Sequence, residues 1–220
     1  MAGRNAAYAL HGYFRSSTSF RTRIALNLKD VGYDQMTYNL RSGEQRSEGY
    51  LQRNVQGFVP TLQLPDGSHL GQSLAIIEWL DETHPEPPLL PAEPVGRARV
   101  RALSYAVALD IHPLNNLRVL KRLRSQFEAD QEAIGEWFRH WVTLEFAGLE
   151  KRLAGEPETG RFCHGDRITM ADICLVAQSI NNRRFDVDET PYPTIRRIVE
   201  TCLEKEAFER ALPANQPDAE

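Results

Sequence analysis

The chain has 220 residues, 41% hydrophobic and 25% charged, with a formal net charge of −4 and a pI near 5.9. That length supports a sizeable core in one large domain or two small ones, and the acidic balance argues against a nucleic-acid or membrane-surface protein. No apolar run reaches the length of a membrane span, Met1 to Asn5 lack a signal-peptide core, and Cys163, Cys174 and Cys202 show neither C-x-x-C nor metal-ligand spacing, so reduced thiols in a cytoplasmic, metal-free protein are the simplest expectation.

The first part alternates strand and helix patterns. Ala7 to Phe14 reads as a strand, Thr18 to about Val31 as a helix with Phe20, Ile24, Leu28 and Val31 on one face, and Tyr33 to Leu40 as a second strand. Arg41 to Asn54 is polar, a loop with a short helix. Thr61–Leu64 and His69–Gly71 flank Pro65-Asp66-Gly67-Ser68, whose Asp-Gly pair signals a hairpin turn. A helix then opens at Gln72-Ser73 and runs through Trp79-Leu80. This order, β-α-β-(α)-β-β-α, fits a small α/β domain.

Five prolines between His84 and Pro94 form a stiff connection that no helix crosses. It divides residues 1–87 from 88–220. Beyond it the period is helical: Val95 to Ile111 up to a kink at Pro113, Leu114 to Phe127, and Gln131 to Leu153 with Ile134, Trp137, Trp141, Leu144 and Gly148 along an expected core face. Thr169 and Asp172 form a capping box for a helix from Met170 to about Arg184, with Ile168 and Ile173 as its hydrophobic staple. A last helix spans Tyr192 to Lys205, and Pro213 to Glu220 reads as a frayed tail. An α/β domain is followed by an all-α domain.

The stretch that organises the chain is Ser16-Ser17-Thr18-Ser19 between the first strand and the first helix. Hydroxyls cluster there with the free N–H groups and positive dipole end of a helix, which favour a phosphate, a carboxylate or a thiolate. Ordinary N-capping by a serine accounts for the same pattern, and both readings stay open on these residues alone.

The run Ser16 to Leu26 resembles the signature of zeta-class glutathione transferases, the class of the maleylacetoacetate and maleylpyruvate isomerases. The similarity continues in order through Val59-Pro60-Thr61-Leu62, Gln72 to Glu78, Asn116 to Lys121, Gly165 to Asp172, Arg184-Phe185, Thr190 to Ile195 and Glu206-Ala207-Phe208. Ile111 to Asn116 is similar to the bacterial maleylpyruvate isomerases of the class. Two positions depart from the pattern: Thr18 stands where a cysteine is frequent, which removes a thiol and argues against disulfide exchange or dehalogenation, and Val55 stands where a proline is common.

The resemblance implies a thioredoxin-like N-terminal domain, an all-α C-terminal domain, a homodimer and glutathione as cofactor. It implies a cis–trans isomerase acting on a small dicarboxylate, maleylpyruvate or maleylacetoacetate, through thiolate addition, bond rotation and elimination to the fumaryl product. A general glutathione transferase is the alternative on the same scaffold. The thiolate falls to Ser16, with Ser17 beside it and Tyr13 as a rival donor; a hydroxyl at a helix N-terminus lowers a thiol pKa. Val59 and Pro60, whose bond the family holds cis, leave the Val59 N–H and C=O for the cysteinyl backbone. Gln72 and Ser73 take the γ-glutamyl carboxylate at a helix start, a looser loop match carries over Gln45, and Asn115 and Asn116 face the thiol. Arg15, Arg118 and Arg184 are the candidate carboxylate clamps, Arg15 also serving the anionic transition state, and His112 a candidate for proton transfer.

Overall fold

The computed structural model describes residues 7–220. They divide into two compact units: the described residues up to Leu89 together with Lys205–Glu220, and Leu90–Glu204. The boundary in the long connection falls between Leu89 and Leu90. Lys205–Glu220, expected in the helical domain, packs with the α/β unit.

In the α/β unit, β1 (Tyr8–Gly12), β2 (Tyr33–Thr37), β3 (Thr61–Gln63) and β4 (His69–Gly71) form one sheet in the order β2-β1-β3-β4. β1 and β2 are parallel, with Tyr8 opposite Tyr33, while β3 runs antiparallel to β1 and β4. A parallel pair needs a crossover, and α1 (Ser17–Leu28) supplies it. A single 3₁₀ turn at Glu44–Arg46 and α2 (Glu48–Leu51) fill the next connection, and α3 (Ser73–Thr83) follows β4. Leu10, Phe20, Ile24, Leu26, Leu62, Ile76, Ile77 and Leu80 are at most 2% exposed and form the core.

α1 does not show the single apolar face that its periodicity predicts. Phe20 and Ile24 are buried, but so are Arg21, Thr22 and Arg23. The reason is α9 (Glu206–Ala211), a six-residue helix that periodicity did not predict and that packs along α1. Arg23 Nε donates to the Ala211 carbonyl at 3.0 Å and its Nη2 to the Phe14 carbonyl at 3.0 Å. Burial pulls the Arg23 guanidinium down to about 10, still protonated at neutral pH. Nor is the tail frayed. Gln216 is buried, donates to the Arg210 and Leu212 carbonyls and accepts from Gln35, while Asp218 accepts the Phe14 N–H at 3.0 Å.

The second unit is helical: α4 (Pro94–Tyr105), a π-helical turn at Ala106–Ile111, α5 (Leu117–Phe127), α6 (Gln131–Gly155), α7 (Met170–Asn182) and α8 (Pro193–Leu203). The kink expected at Pro113 begins upstream, where the His112 N–H reaches back five residues to Val107. The expected core face of α6 is turned about one residue. Ile134, Phe138, Val142, Phe146, Leu149 and Leu153 are buried, whereas Leu144 is 55% exposed. Trp137 lies at the edge of that face, its Nε1 donating to the Leu114 carbonyl. Among the described residues no helix is long and apolar enough to cross a membrane.

Candidate active site

β1 ends at Gly12, and the chain turns through Tyr13–Arg15 so that Ser16 becomes the N-cap of α1. Its Oγ accepts the Ser19 N–H at 3.2 Å. Ser16 Oγ also lies 2.9 Å from Thr18 Oγ1, and Thr18 Oγ1 donates to the Val59 carbonyl at 3.0 Å. A hydroxyl has one proton. Thr18 gives its proton to Val59, so Ser16 is the donor to Thr18. The capping reading is therefore true of Ser16, and the hydroxyl also begins a chain of hydrogen bonds that ends on Val59. Thr18, which the sequence marks only as a departure, is the link.

Ser17 is buried beside Ser16 as the first residue of α1, and α1 carries no acidic residue in its first turn. Tyr13 is 6% exposed and its hydroxyl has no hydrogen-bond partner among the described residues. Burial pushes its phenol up, so the hydroxyl keeps its proton at neutral pH and Tyr13 stays a rival donor to Ser16. Arg15 is half-buried, its guanidinium 4.9 Å over the Phe14 ring and 3.8 Å from the Glu220 carboxylate.

The Val59–Pro60 bond is cis. The expectation of a free Val59 carbonyl is corrected by Thr18, which occupies one of its lone pairs. The Val59 N–H has no acceptor among the described residues. Gln72 precedes α3 with φ 67° and ψ 113°, outside the helical region, and its side chain makes no cap. The first intrahelical bond of α3 runs from Ile76 N–H to the Gln72 carbonyl, so the N–H groups of Ser73, Leu74 and Ala75 precede the ladder. Ser73 itself is buried and Gln72 exposed. Gln45 sits on the 3₁₀ turn, its Oε1 buried without a hydrogen-bond partner among the described residues. Gly57 (φ +61°) lets the Val59 loop approach this turn, since a Cβ there would lie 2.9 Å from the Gln45 carbonyl.

In the helical unit, Asn115 has one end of its amide tied to the core and its buried Oδ1 without a partner among the described residues. It is 7% exposed and donates to the Phe138 carbonyl at 3.2 Å. Asn116 is the N-cap of α5, its Oδ1 accepting the Arg118 N–H at 3.1 Å and its Nδ2 lying 3.2 Å from His112 Nε2. Asn116 and His112 are thus brought together, with the amide as donor. Arg118 is exposed at the start of α5. Arg184 is exposed on the 3₁₀ turn after α7, donating to Asn181 Oδ1 at 3.0 Å.

Three features of the α/β unit fit glutathione. The Val59 N–H suits a peptide carbonyl, the uncapped α3 start suits a carboxylate, and the hydroxyl-rich α1 start suits a thiolate. A four-stranded β-α-β-β unit with these helix ends, joined in one chain to a helical unit, is the architecture of a glutathione transferase. Residues 15–83 match the family model described as the glutathione S-transferase N-terminal domain. The maleylpyruvate isomerase of a Ralstonia species is 48% identical over 210 residues, covering 96% of this chain and 99% of that one. A holo structure of a maleylpyruvate isomerase, described as a bacterial zeta-class glutathione S-transferase, superposes with TM-score 0.94 at 47% identity over 96% of this chain and 100% of that one. The maleylacetoacetate isomerase of Methylobacterium extorquens AM1, solved with malonate and glutathione bound, gives TM-score 0.93 at 42% identity over 96% and 99% of the two chains. The chain belongs to the maleylacetoacetate/maleylpyruvate isomerase family of zeta-class glutathione transferases.

Proposed function

We propose that the protein is a glutathione-dependent cis–trans isomerase that converts maleylpyruvate or maleylacetoacetate to its fumaryl isomer. The observation that carries the reading is the α1 start, where Ser16 caps the helix and is tied through Thr18 to the Val59 peptide. Bound glutathione supplies a thiolate that adds to the maleyl double bond, permits rotation and is regenerated on elimination. Ser16 turns its proton from Thr18 toward the sulfur, and Ser17 and the α1 dipole add to the favourable field. Val59 N–H takes the cysteinyl carbonyl, and the α3 start with Gln72 and Ser73 takes the γ-glutamyl carboxylate; Gln45 Oε1 is placed for an amine or N–H donor. Arg15, Arg118 and Arg184 take the substrate carboxylates and the charge that develops next to the carbonyl. Asn116 orients His112 for proton transfer.

We also place the protein in the cytoplasm as a homodimer. The buried cysteines, none in a disulfide, and the need for reduced glutathione support the compartment. The test follows the ultraviolet absorbance of both maleyl substrates with purified protein, with and without glutathione, and measures the remaining thiol. Turnover that requires glutathione but leaves it undepleted is expected. Consumption of glutathione with an electrophile and no isomerisation moves the general transferase to first place.

A further inference from the structure

The Val59 N–H belongs to the same planar unit as the Phe58 carbonyl, and the Phe58–Val59 bond is not among the cis bonds. In a trans peptide these two groups point in opposite directions, so whatever fixes the Phe58 carbonyl fixes the direction of the Val59 N–H. Two donors, the buried Tyr50 and the half-buried Asn54, hold that carbonyl. Tyr50 Oη donates to it at 2.5 Å and Asn54 Nδ2 at 3.1 Å. A carbonyl oxygen has two lone pairs, and both are taken.

The donors are themselves fixed. Tyr50 Oη lies 3.0 Å from Thr61 Oγ1, and Asn54 Nδ2 donates to Thr61 Oγ1 at 3.0 Å. Since the Tyr50 proton goes to Phe58, the Thr61 proton goes to Tyr50. The second Asn54 Nδ2 proton goes to Thr61. The ring closes with each of these protons assigned once: Asn54 to Thr61, Thr61 to Tyr50, and Tyr50 and Asn54 to Phe58. Asn54 Oδ1 also accepts the Gln56 N–H at 3.0 Å, which sets the turn leading into the loop. Tyr50 is 1% exposed and packs its ring against Tyr38 and His11. From the other side Thr18 grips the Val59 carbonyl. Both peptide planes that flank Val59 are therefore held, and its N–H is left as the group without a partner among the described residues.

We propose that Tyr50 and Asn54 are positioning residues that aim the Val59 N–H at the peptide carbonyl of glutathione, acting through the Phe58 carbonyl without touching the ligand. This rests on the reading that Val59 meets glutathione. Burial pushes the Tyr50 phenol up to about 12, so the tyrosine remains a donor throughout the neutral range. The arrangement also gives Thr61 a purpose that its place on β3 does not require.

The experiment uses the full chain, labelled with ¹⁵N, and reads the Val59 amide resonance and the dissociation constant of reduced glutathione together. In the unmodified protein the Val59 amide is expected to shift on adding glutathione. Tyr50→Phe keeps the ring and removes one donor. It is expected to displace the Val59 amide before ligand is added and to raise the dissociation constant about tenfold, the effect of one hydrogen bond. Its kcat at saturating glutathione stays within about twofold, because the thiolate donors are untouched. Thr61→Val is nearly isosteric and keeps both donors to Phe58; it is expected to raise the constant by only about twofold and serves if Tyr50→Phe does not fold. A merely structural role predicts a lower melting temperature with an unchanged dissociation constant. If the unmodified Val59 amide responds to glutathione while Tyr50→Phe binds as tightly, the positioning role is wrong and the contact stands. If the Val59 amide stays silent when glutathione binds, the contact itself is wrong and the positioning role falls with it.

Discussion

The two units treat their helix starts differently. At three helix starts of the helical unit the chain supplies its own anions, while α4 has no side-chain cap and α5 is capped by the neutral Asn116. Asp130 accepts the Ala133 N–H at α6, Glu150 accepts the Thr194 and Ile195 N–H groups at α8, and Asp172 at α7 accepts from Thr169 N–H, Thr169 Oγ1 and the Cys163 N–H. In the α/β unit neither α1 nor α3 has an acidic residue in its first turn, and Gln72 caps nothing. The same electrostatic demand exists at every helix start. Met from within by an anion, it becomes a stability device; at α1 and α3 no side-chain carboxylate meets it, and it is there that we propose the ligand's thiolate and carboxylate to sit.

Substitutions at the two kinds of helix start should separate cleanly. Asp172→Ala removes the fully buried acceptor of three hydrogen bonds and leaves their donors without partners. It is expected to cost about 3–5 kcal/mol of unfolding free energy, read from urea denaturation, while the glutathione affinity of the remaining folded protein stays unchanged. Ser16→Ala should show the reverse pattern. Loss of the cap costs about 1 kcal/mol, but kcat/KM falls about a hundredfold because the thiolate loses a donor. A Ser16→Ala enzyme with full turnover would transfer that role to Ser17.

A smaller effect tests whether the helical unit contributes to binding at all. Arg184 is exposed, donates to Asn181 Oδ1 and lies over the face of Phe185. Arg184→Ala is expected to leave stability within about 0.5 kcal/mol and to raise the substrate KM roughly tenfold if the guanidinium grips a carboxylate. Equal kinetics in the variant and the parent would remove it from the clamp.

What the sequence made legible was local. The Thr169–Asp172 capping box and the Ser16 cap each lie within four residues, and both stand in the structure as read. What it hid depends on distant packing. α9 is too short to carry a clear period and is placed by its contact with α1. Arg23 looks like a surface charge until Ala211 and Phe14 offer carbonyls. On α6 Trp137 and Trp141 draw the expected core face one residue away from Phe138 and Val142; an indole can lie half-buried at an edge, and that of Trp137 gives its N–H to the Leu114 carbonyl, whereas Trp141 Nε1 has no partner among the described residues. Asn115 and Asn116 look alike in sequence. Only the fold shows that one amide enters the core and the other caps a helix.

The smallest expected effect is a difference in how the units answer to acid. His11 on β1 is 1% exposed, beside Tyr38 and Gln63, and burial pulls its imidazole below the usual value of 6.5. Its folded form holds the proton less tightly than the unfolded chain does. Its contribution to stability is therefore complete above pH 6.5 and is lost as pH falls from there toward the folded pKa, with a slope of at most about 1.4 kcal/mol per pH unit. Asp172 behaves oppositely, since burial raises its carboxyl. Its folded form holds the proton more tightly, so acidification toward pH 5 removes none of its contribution. Hydrogen exchange between pH 7.5 and 5.5, corrected for the intrinsic rate, should therefore show β1 and α1 amides losing protection before those of α7. His11→Gln should flatten the pH dependence of β1 and leave α7 as it was. Equal loss in both units would mean that His11 does not govern the acid response.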